Sequence, residues 1–150
     1  GAGLSIAMAC DLIVAGSSAT FTLAYVKAGL VPDGGATWAL SRVLPRATLA
    51  KMAMLGRPIS AERLSALGLV SELVADGTAL HAAATLAGDI ACGPQQAIAS
   101  IKQLLTTAEA SLSLEDQLAR ERDAMAAALG GEEARIGITA FLNKTQPAFR

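Results

Sequence analysis

The spacing of apolar residues divides the chain into an opening part with short strands and a longer part made of helices. Residues 12–15 form a continuous apolar run that ends at Gly16, which is typical of a buried strand. Apolar and polar residues alternate over residues 19–23, so a second short strand is predicted with one face packed and the other more open. Residues 69–74 predict a further strand or an extended segment.

Helical spacing governs most of the remaining chain. A helix is predicted over residues 38–44, and another around residues 49–53 that ends at Gly56. Ser60 is expected to cap the following helix with its hydroxyl, and Gly68 is expected to end that helix.

The second half of the chain predicts helices over residues 80–90, 98–105, 114–129 and 136–141. Ser113, with an aspartate three residues later, resembles a capping box at the start of the third of these helices. The same helix is expected to turn four apolar side chains inwards, namely Leu114, Leu118, Met125 and Leu129. Because the predicted strands lie mainly in the first half of the chain and helices follow them, the chain is predicted to be an α/β protein that ends in a helical region.

The opening glycines predict a tight turn that feeds a short helix within residues 1–9. The first N–H groups of such a helix have no partner inside it, and they favour an anion or a polarised carbonyl. An ordinary glycine turn is the alternative. A dinucleotide-binding motif is rejected because Ile6 stands where its third glycine is required.

Asp33 lies in a Pro-Asp-Gly-Gly turn, with apolar residues before it and a helical pattern after it. The structural interpretation is that its side chain caps the next helix. The functional interpretation is that its carboxylate does acid–base chemistry, partly buried beside Val31 and Trp38. The local pattern alone favours the structural interpretation.

Composition narrows the classes of protein. Apolar residues make up 53% of the 150 residues and the net charge is −1, which gives no basic footprint for nucleic acid. No apolar run is long enough to cross a membrane, and no secretory leader is visible. Cys10 and Cys92 are far apart without metal-type spacing, and reduced, buried thiols in a cytoplasmic protein are expected. The apolar excess fits an alanine-rich helical protein or a chain that covers surface against a partner.

Five segments, taken in order, resemble the crotonase superfamily of enoyl-CoA hydratases and isomerases. The segments are residues 1–15, which read Gly-Ala-Gly-Leu-Ser-Ile-Ala-Met-Ala-Cys-Asp-Leu-Ile-Val-Ala, and residues 29–35, 56–62, 68–70 and 140–144. The resemblance covers essentially the whole chain. It implies an α/β fold, the C-terminal portion of a crotonase-like spiral of ββα units followed by a helical trimerisation region.

Under this resemblance, residues 1–75 are the end of the ββα core and residues 76–150 are the helical region. Family members are longer, so an N-terminal part with one oxyanion-hole donor and much of the coenzyme A site is expected to be missing. The isolated 150 residues are therefore expected to be inactive and poorly soluble. The resemblance also implies a homotrimer or a hexamer, with an acyl-CoA thioester as the substrate. It implies no metal or redox cofactor, because coenzyme A is part of the substrate.

Several positions match family residues that hold or transform the substrate. The backbone N–H of Ala2 matches the second donor of the oxyanion hole, which binds the thioester oxygen as negative charge develops. The resemblance places six residues against the substrate: Gly3, Tyr25, Gly34, Trp38, Phe141 and Lys144. Plain core packing is the alternative for Phe141.

The departures from the family pattern bear on the reaction. Hydratases of the family use two glutamates, and this chain has Ser5 and Tyr25 at those positions. Neither is a good general base near neutral pH without a strong activator, which disfavours a two-glutamate hydratase mechanism. Asp33 resembles the aspartate of the ring-epoxide isomerases of phenylacetyl-CoA breakdown. An acyl-CoA isomerase with Asp33 as the proton shuttle is therefore predicted; a hydratase and a non-catalytic acyl-CoA-binding subunit are the alternatives.

Overall fold

The computed structural model of the chain describes residues 1–110 and 113–149. These residues form two compact units, one of Gly1–Thr85 and one that begins at Leu86 within a long helix. Each unit has its own arrangement of helices.

The first unit contains short strands between helices, as the apolar pattern predicts. Its elements are α1 (Ala2–Ala7), β1 (Val14–Gly16), β2 (Thr20–Phe21), a 3-10 helix (Ala24–Ala28), α2 (Ala36–Val43), α3 (Arg46–Leu55), β3 (Ile59–Ser60), α4 (Ala61–Ala66), β4 (Glu72–Val74) and the start of α5 (Ala79–Cys92).

The strands form two small two-stranded sheets. β1 and β4 are parallel, with Ala15 opposite Leu73, and β2 and β3 are antiparallel, with Phe21 opposite Ile59. β1, β2 and β4 are each shorter than the segment that predicted them, and β3 was not predicted from the sequence. Leu23, just beyond β2, is fully buried in the core, whereas Leu12, before β1, is exposed.

Helix ends in this unit follow the local signals in the sequence. The Ser60 hydroxyl oxygen accepts a hydrogen bond from the Arg63 N–H at 3.2 Å and caps α4 as predicted. Gly56 ends α3 with φ +57°, a left-handed conformation that side chains other than glycine rarely adopt.

A continuous cluster of buried apolar residues holds the first unit together. Leu23, Leu40, Met52 and Leu64 are its largest fully buried side chains. They come from the segment after β2 and from α2, α3 and α4, so burial of one cluster fixes the helices around the two small sheets. The ring of Tyr25 packs against this cluster from the 3-10 helix.

The second unit consists of helices in the part of the chain that the structure describes. After the remainder of α5 come α6 (Gln95–Glu109), α7 (Leu114–Leu129) and α8 (Glu132–Asn143). The predicted cap of α7 is confirmed, because the Ser113 hydroxyl oxygen accepts from the Asp116 N–H at 3.1 Å.

The apolar side chains of α7 are not buried as predicted. Leu114 is 74% exposed, and the other three residues of the predicted inward stripe, Leu118, Met125 and Leu129, are also exposed. Helical periodicity places these residues on related faces of a helix, but it does not supply the surface that covers them.

Cys10 and Cys92 are exposed free thiols, so the prediction that they are buried is wrong. Cys10 follows the C-terminal end of α1, and Cys92 ends α5, where neither lies against a core. Among residues 1–110 and 113–149, no helix is both long and apolar enough to cross a membrane.

Candidate active site

The start of α1 is the first component of the candidate site. The Leu4 N–H donates to the Gly1 carbonyl at 2.9 Å, and this is the first turn of the helix. The N–H groups of Ala2 and Gly3 precede that bond and therefore have no acceptor within the helix. Both residues are exposed, so these N–H groups can meet a ligand oxygen.

Ser5 ties this helix to the loop that carries Asp33. Its side chain is buried, with 7% of the residue exposed, and its hydroxyl donates to the Asp33 carbonyl at 3.0 Å. A Cβ added to Gly34 would lie 3.0 Å from the Ser5 Cβ, so the close approach of the loop to α1 favours glycine there. Gly34 also has φ +58°, which favours glycine for a second reason.

The loop turns back towards the 3-10 helix that precedes it. Gly29 ends that helix with φ +69°, and the Leu30 N–H donates to the Tyr25 carbonyl at 3.0 Å. This left-handed turn reverses the chain, so that Asp33 returns to Tyr25 after eight residues.

The side chains of Tyr25 and Asp33 meet directly. The Tyr25 hydroxyl donates to Asp33 Oδ1 at 2.7 Å. This bond raises the pKa of Tyr25 above its ordinary value of 10.0, and burial adds to the rise, while a contact with the Ser5 hydroxyl acts in the opposite direction. Near neutral pH the phenol is therefore protonated and donates to the carboxylate.

The prediction that the Asp33 side chain caps the next helix is wrong. Helix α2 begins after Gly35, which has φ +78°, and no side chain accepts a hydrogen bond from its first turn. Only the Asp33 backbone takes part, because its carbonyl accepts from the Ala36 N–H at 3.2 Å. Two left-handed glycines place the start of the helix out of reach of the carboxylate, which bonds to Tyr25 instead.

The expected partial burial of Asp33 is also not found. Asp33 is exposed in this chain, and Val31 is 79% exposed. Trp38 is 60% exposed on α2, and the Arg42 guanidinium covers its ring at 3.4 Å from the centroid. The apolar neighbours are therefore beside a site that is open to solvent.

Phe141 and Lys144 lie at the end of α8 in the second unit. Phe141 is 82% exposed, so the alternative interpretation of plain core packing does not hold within this chain. Lys144 ends α8 with φ +54°, the one described residue other than glycine with a positive φ. Its N–H donates to the Phe141 carbonyl at 3.2 Å.

Of the predicted site residues, the structure brings together Tyr25, Asp33 and Gly34 next to the helix that begins with Ala2. The structural role that the sequence did not predict is that of Ser5, which joins the loop to that helix. The sequence marks Ser5 only by the family resemblance, as a departure from a glutamate, and neither this nor its small hydroxyl identifies a partner 28 residues away. The site is a carboxylate on a loop that Ser5 ties to α1, a short helix whose first N–H groups are open, and this arrangement is suited to acid–base chemistry on a carbonyl compound.

Comparison with known proteins identifies the family and the fold of the chain. Residues 1–150 match the enoyl-CoA hydratase/isomerase family. The chain is 39% identical to the 1,2-epoxyphenylacetyl-CoA isomerase of Escherichia coli over 99% of its own length, and 33% identical to the 2,3-dehydroadipyl-CoA hydratase of the same organism over its full length. It superimposes along its full length on the crystal structure of an enoyl-CoA hydratase from Polaromonas with a TM-score of 0.95 and 45% identity.

The chain therefore has the crotonase fold and belongs to the enoyl-CoA hydratase/isomerase family. It spans 56% of the E. coli isomerase, 58% of the E. coli hydratase and 58% of the Polaromonas chain. The predicted α/β crotonase-like fold and the predicted family are confirmed.

Proposed function

We propose that the whole protein is an acyl-CoA isomerase in which Asp33 moves a proton on an enoyl-CoA thioester. The observation that carries this proposal is the placement of the Asp33 carboxylate, which bonds to Tyr25 while its backbone is tied to α1 through Ser5. The likeness to a 1,2-epoxyphenylacetyl-CoA isomerase supports the choice of isomerisation. A ring epoxide joined to the thioester is accordingly a second substrate class for the same carboxylate.

The proposed reaction needs one acid–base group. On a 3-enoyl-CoA, the Asp33 carboxylate takes a proton from C2, and the electron pair of that C–H bond moves towards the thioester oxygen. The same carboxyl then returns the proton to C4, and the double bond ends between C2 and C3. Nothing is added to the substrate or lost from it.

The Ala2 N–H is proposed to bind the thioester oxygen while it carries negative charge. A donor of this kind stabilises the transition state by about 2.7–4 kcal/mol in other enzymes. The dipole of α1 adds to the effect at its N-terminal end. Because the donor is a backbone group, alanine serves there as well as glycine.

Hydration is the second candidate function, and the likeness to enoyl-CoA hydratases favours it. Addition of water to a 2-enoyl-CoA needs one group to activate the water and one to supply the proton at C2. Among the residues described around the Ser5–Tyr25–Asp33 contacts, Asp33 is the one carboxylate. Isomerisation fits a single carboxylate better.

The test is an Asp33→Asn variant of the whole protein, assayed with 3-enoyl-CoA and 2-enoyl-CoA, following double-bond position and water addition separately. Asparagine keeps the size of the side chain and can accept the Tyr25 hydrogen bond, but it is not a base. We expect isomerisation to fall by about 10²–10⁴-fold, the usual cost of losing a general base.

A matched control is Glu62→Gln, which neutralises an exposed carboxylate on α4 of the same unit. Its turnover should equal that of the parent. Near-normal isomerisation in Asp33→Asn would end the proposal. Hydration without isomerisation in the parent would select the hydratase, and acyl-CoA binding without either reaction would select a non-catalytic subunit.

We further propose that the nucleotide part of coenzyme A contacts Phe141 and Lys144, and that the protein assembles as a homotrimer or hexamer. The exposure of Phe141 and of the apolar residues on α7 supports both contacts with a ligand and contacts between subunits. Unchanged coenzyme A affinity in Lys144→Ala would contradict the ligand role. A monomer in light scattering at micromolar concentration would contradict the assembly.

A further inference from the structure

We propose that Tyr25 is a positioning residue that orients the Asp33 carboxylate for proton transfer. The proposal rests on the proposed function, because it takes Asp33 as the acid–base group. It differs from the role that the family resemblance implies for Tyr25, which is to line the acyl pocket. The difference matters because the two roles predict opposite kinetic effects for loss of the hydroxyl.

Asp33 needs an external contact to hold its side chain. It is exposed, and it lies on a loop between Pro32 and two left-handed glycines. An exposed aspartate samples several rotamers, and each productive proton transfer requires one orientation within hydrogen-bond reach of the substrate. The structure shows one side-chain contact of the Asp33 carboxylate within the described residues, and Tyr25 makes it.

Tyr25 can impose an orientation because its own position is fixed. Its ring packs against the buried cluster of the first unit, and its backbone belongs to the 3-10 helix. Its hydroxyl reaches Asp33 Oδ1 at 2.7 Å, which is within the range of charge-assisted hydrogen bonds from a hydroxyl to a carboxylate. Oδ2 then remains available to take or give the substrate proton.

Ser5 holds the backbone of Asp33. Its buried hydroxyl donates to the Asp33 carbonyl at 3.0 Å, so the backbone is tied to α1 while the carboxylate is tied to the 3-10 helix. Helix α1 also begins with the proposed oxyanion donor, Ala2. Two contacts therefore fix the base relative to the element that would bind the thioester oxygen.

The protonation state of Tyr25 suits this role. The contact with Asp33 raises the pKa of the phenol above its ordinary value, so the hydroxyl keeps its proton and donates throughout the neutral range. A tyrosine in this state holds a carboxylate in place but does not accept the substrate proton itself.

The kinetic test is Tyr25→Phe in the whole protein. Phenylalanine keeps the ring in the core and removes only the hydroxyl. We expect kcat to fall by about 10- to 100-fold with KM little changed, because misplacement of a reacting group lowers turnover without changing ground-state binding. The matched control is Thr22→Val, which removes a hydroxyl that bonds to the Gly56 carbonyl in the same unit and leaves the Asp33 contacts intact. Its kcat should equal that of the parent.

A second measurement reports on the hydrogen bond without using activity. Tyr25 is the single tyrosine of this chain, so the difference in tyrosinate absorbance between the parent and Asp33→Ala across the pH range reports the titration of Tyr25 in the whole protein. In an Asp33→Ala background, the pKa of Tyr25 should fall from its raised value towards the ordinary one. Circular dichroism across the same pH range confirms that the protein is folded.

Each outcome decides the matter. A lower kcat in Tyr25→Phe at unchanged KM, together with a lower tyrosine pKa in Asp33→Ala, supports the positioning role. An unchanged kcat overturns it, and so does a raised KM at unchanged kcat, which would show a direct contact with the acyl group. An unchanged pKa of Tyr25 in Asp33→Ala overturns it even if Tyr25→Phe fails to fold. Failure of the proposed function is a separate result, namely near-normal turnover in Asp33→Asn.

Discussion

Glu133 caps the start of α6, for which the sequence predicted no capping residue. Its carboxylate accepts from the Gln96 N–H at 3.0 Å and from the Ala97 N–H at 3.1 Å, so a residue of α8 satisfies the first turn of α6. Pro94 precedes α6 and has no side chain able to cap it. The Glu133→Ala variant would leave both N–H groups without this acceptor.

The size of the effect follows from the two bonds. Loss of a capping side chain typically costs about 0.5–2 kcal/mol, and a negative charge at a helix start adds about 0.3–1 kcal/mol at exposed sites. Glu133 is half-buried, and water can replace part of what is lost. We therefore expect the free energy of unfolding to fall by about 1–2 kcal/mol in Glu133→Ala. For a chain of this size that corresponds to roughly 2–8 °C in Tm.

The control is the residue next to it in the same helix. Glu132 pairs with Arg135 on an exposed surface, and such pairs contribute little to stability. Denaturant unfolding and thermal melting of Glu133→Ala and Glu132→Ala, followed by circular dichroism, compare the two directly. Equal stability of the two variants would refute the argument that Glu133 caps α6. A loss confined to Glu132→Ala would show that the ion pair is the important contact.

Two further predictions concern the first unit. Gly34→Ala should lower both Tm and turnover. The backbone conformation at φ +58° costs a non-glycine residue about 1–2 kcal/mol, and the added Cβ would lie 3.0 Å from the Ser5 Cβ. A variant with parental Tm and kcat would contradict this prediction. The Ser18 N–H donates to Asp76 at 2.9 Å and lowers the pKa of the Asp76 carboxyl in the folded state. Ionised Asp76 therefore stabilises the fold at pH values above its unfolded pKa, and this stabilisation is lost as the pH falls through the lowered pKa of the folded state. The stability difference between the parent and Asp76→Asn should shrink on acidification, and a constant difference would count against it.

Local signals predicted the helices and their ends because those signals act over a few residues. Ser60 and Ser113 cap the helices that follow them, and Gly56 ends α3 in the left-handed conformation that its position suggests. The cap of α6 was not predictable in this way. Glu133 is 37 residues away from Gln96, and its role depends on how α8 packs within the second unit.

The apolar faces of the helical region show another limit of periodicity. Leu114 and Met125 were expected inside, and both are exposed. A periodic stripe identifies side chains that share a face, whereas burial requires a second surface against that face. In the first unit α2, α3 and α4 supply such surfaces to one another, and Leu40 and Leu64 are fully buried there.

The contacts of Asp33 show why the interpretation of its side chain as a helix cap was wrong. A Pro-Asp-Gly-Gly turn before a helix is typical of a side-chain cap, and the sequence favours that interpretation. The left-handed conformations of Gly34 and Gly35 delay the helix, and the turn at Gly29 brings Tyr25 within 2.7 Å of the carboxylate. Backbone conformations at three glycines decide the outcome, and no periodic pattern specifies them.

The contacts of Asp33 also bear on the choice between isomerisation and hydration. The family resemblance implies that Ser5 and Tyr25 stand where hydratases have two glutamates. In the structure the Ser5 hydroxyl donates to the Asp33 carbonyl and the Tyr25 hydroxyl donates to the Asp33 carboxylate. A donor whose pKa is raised by its carboxylate partner keeps its proton, so Tyr25 does not replace a second general base near neutral pH. Water addition needs two groups that exchange protons, whereas a double-bond shift needs one that gives back the proton it took. One carboxylate, held by a tyrosine hydroxyl that keeps its proton, therefore fits the proposed proton shuttle better than it fits hydration.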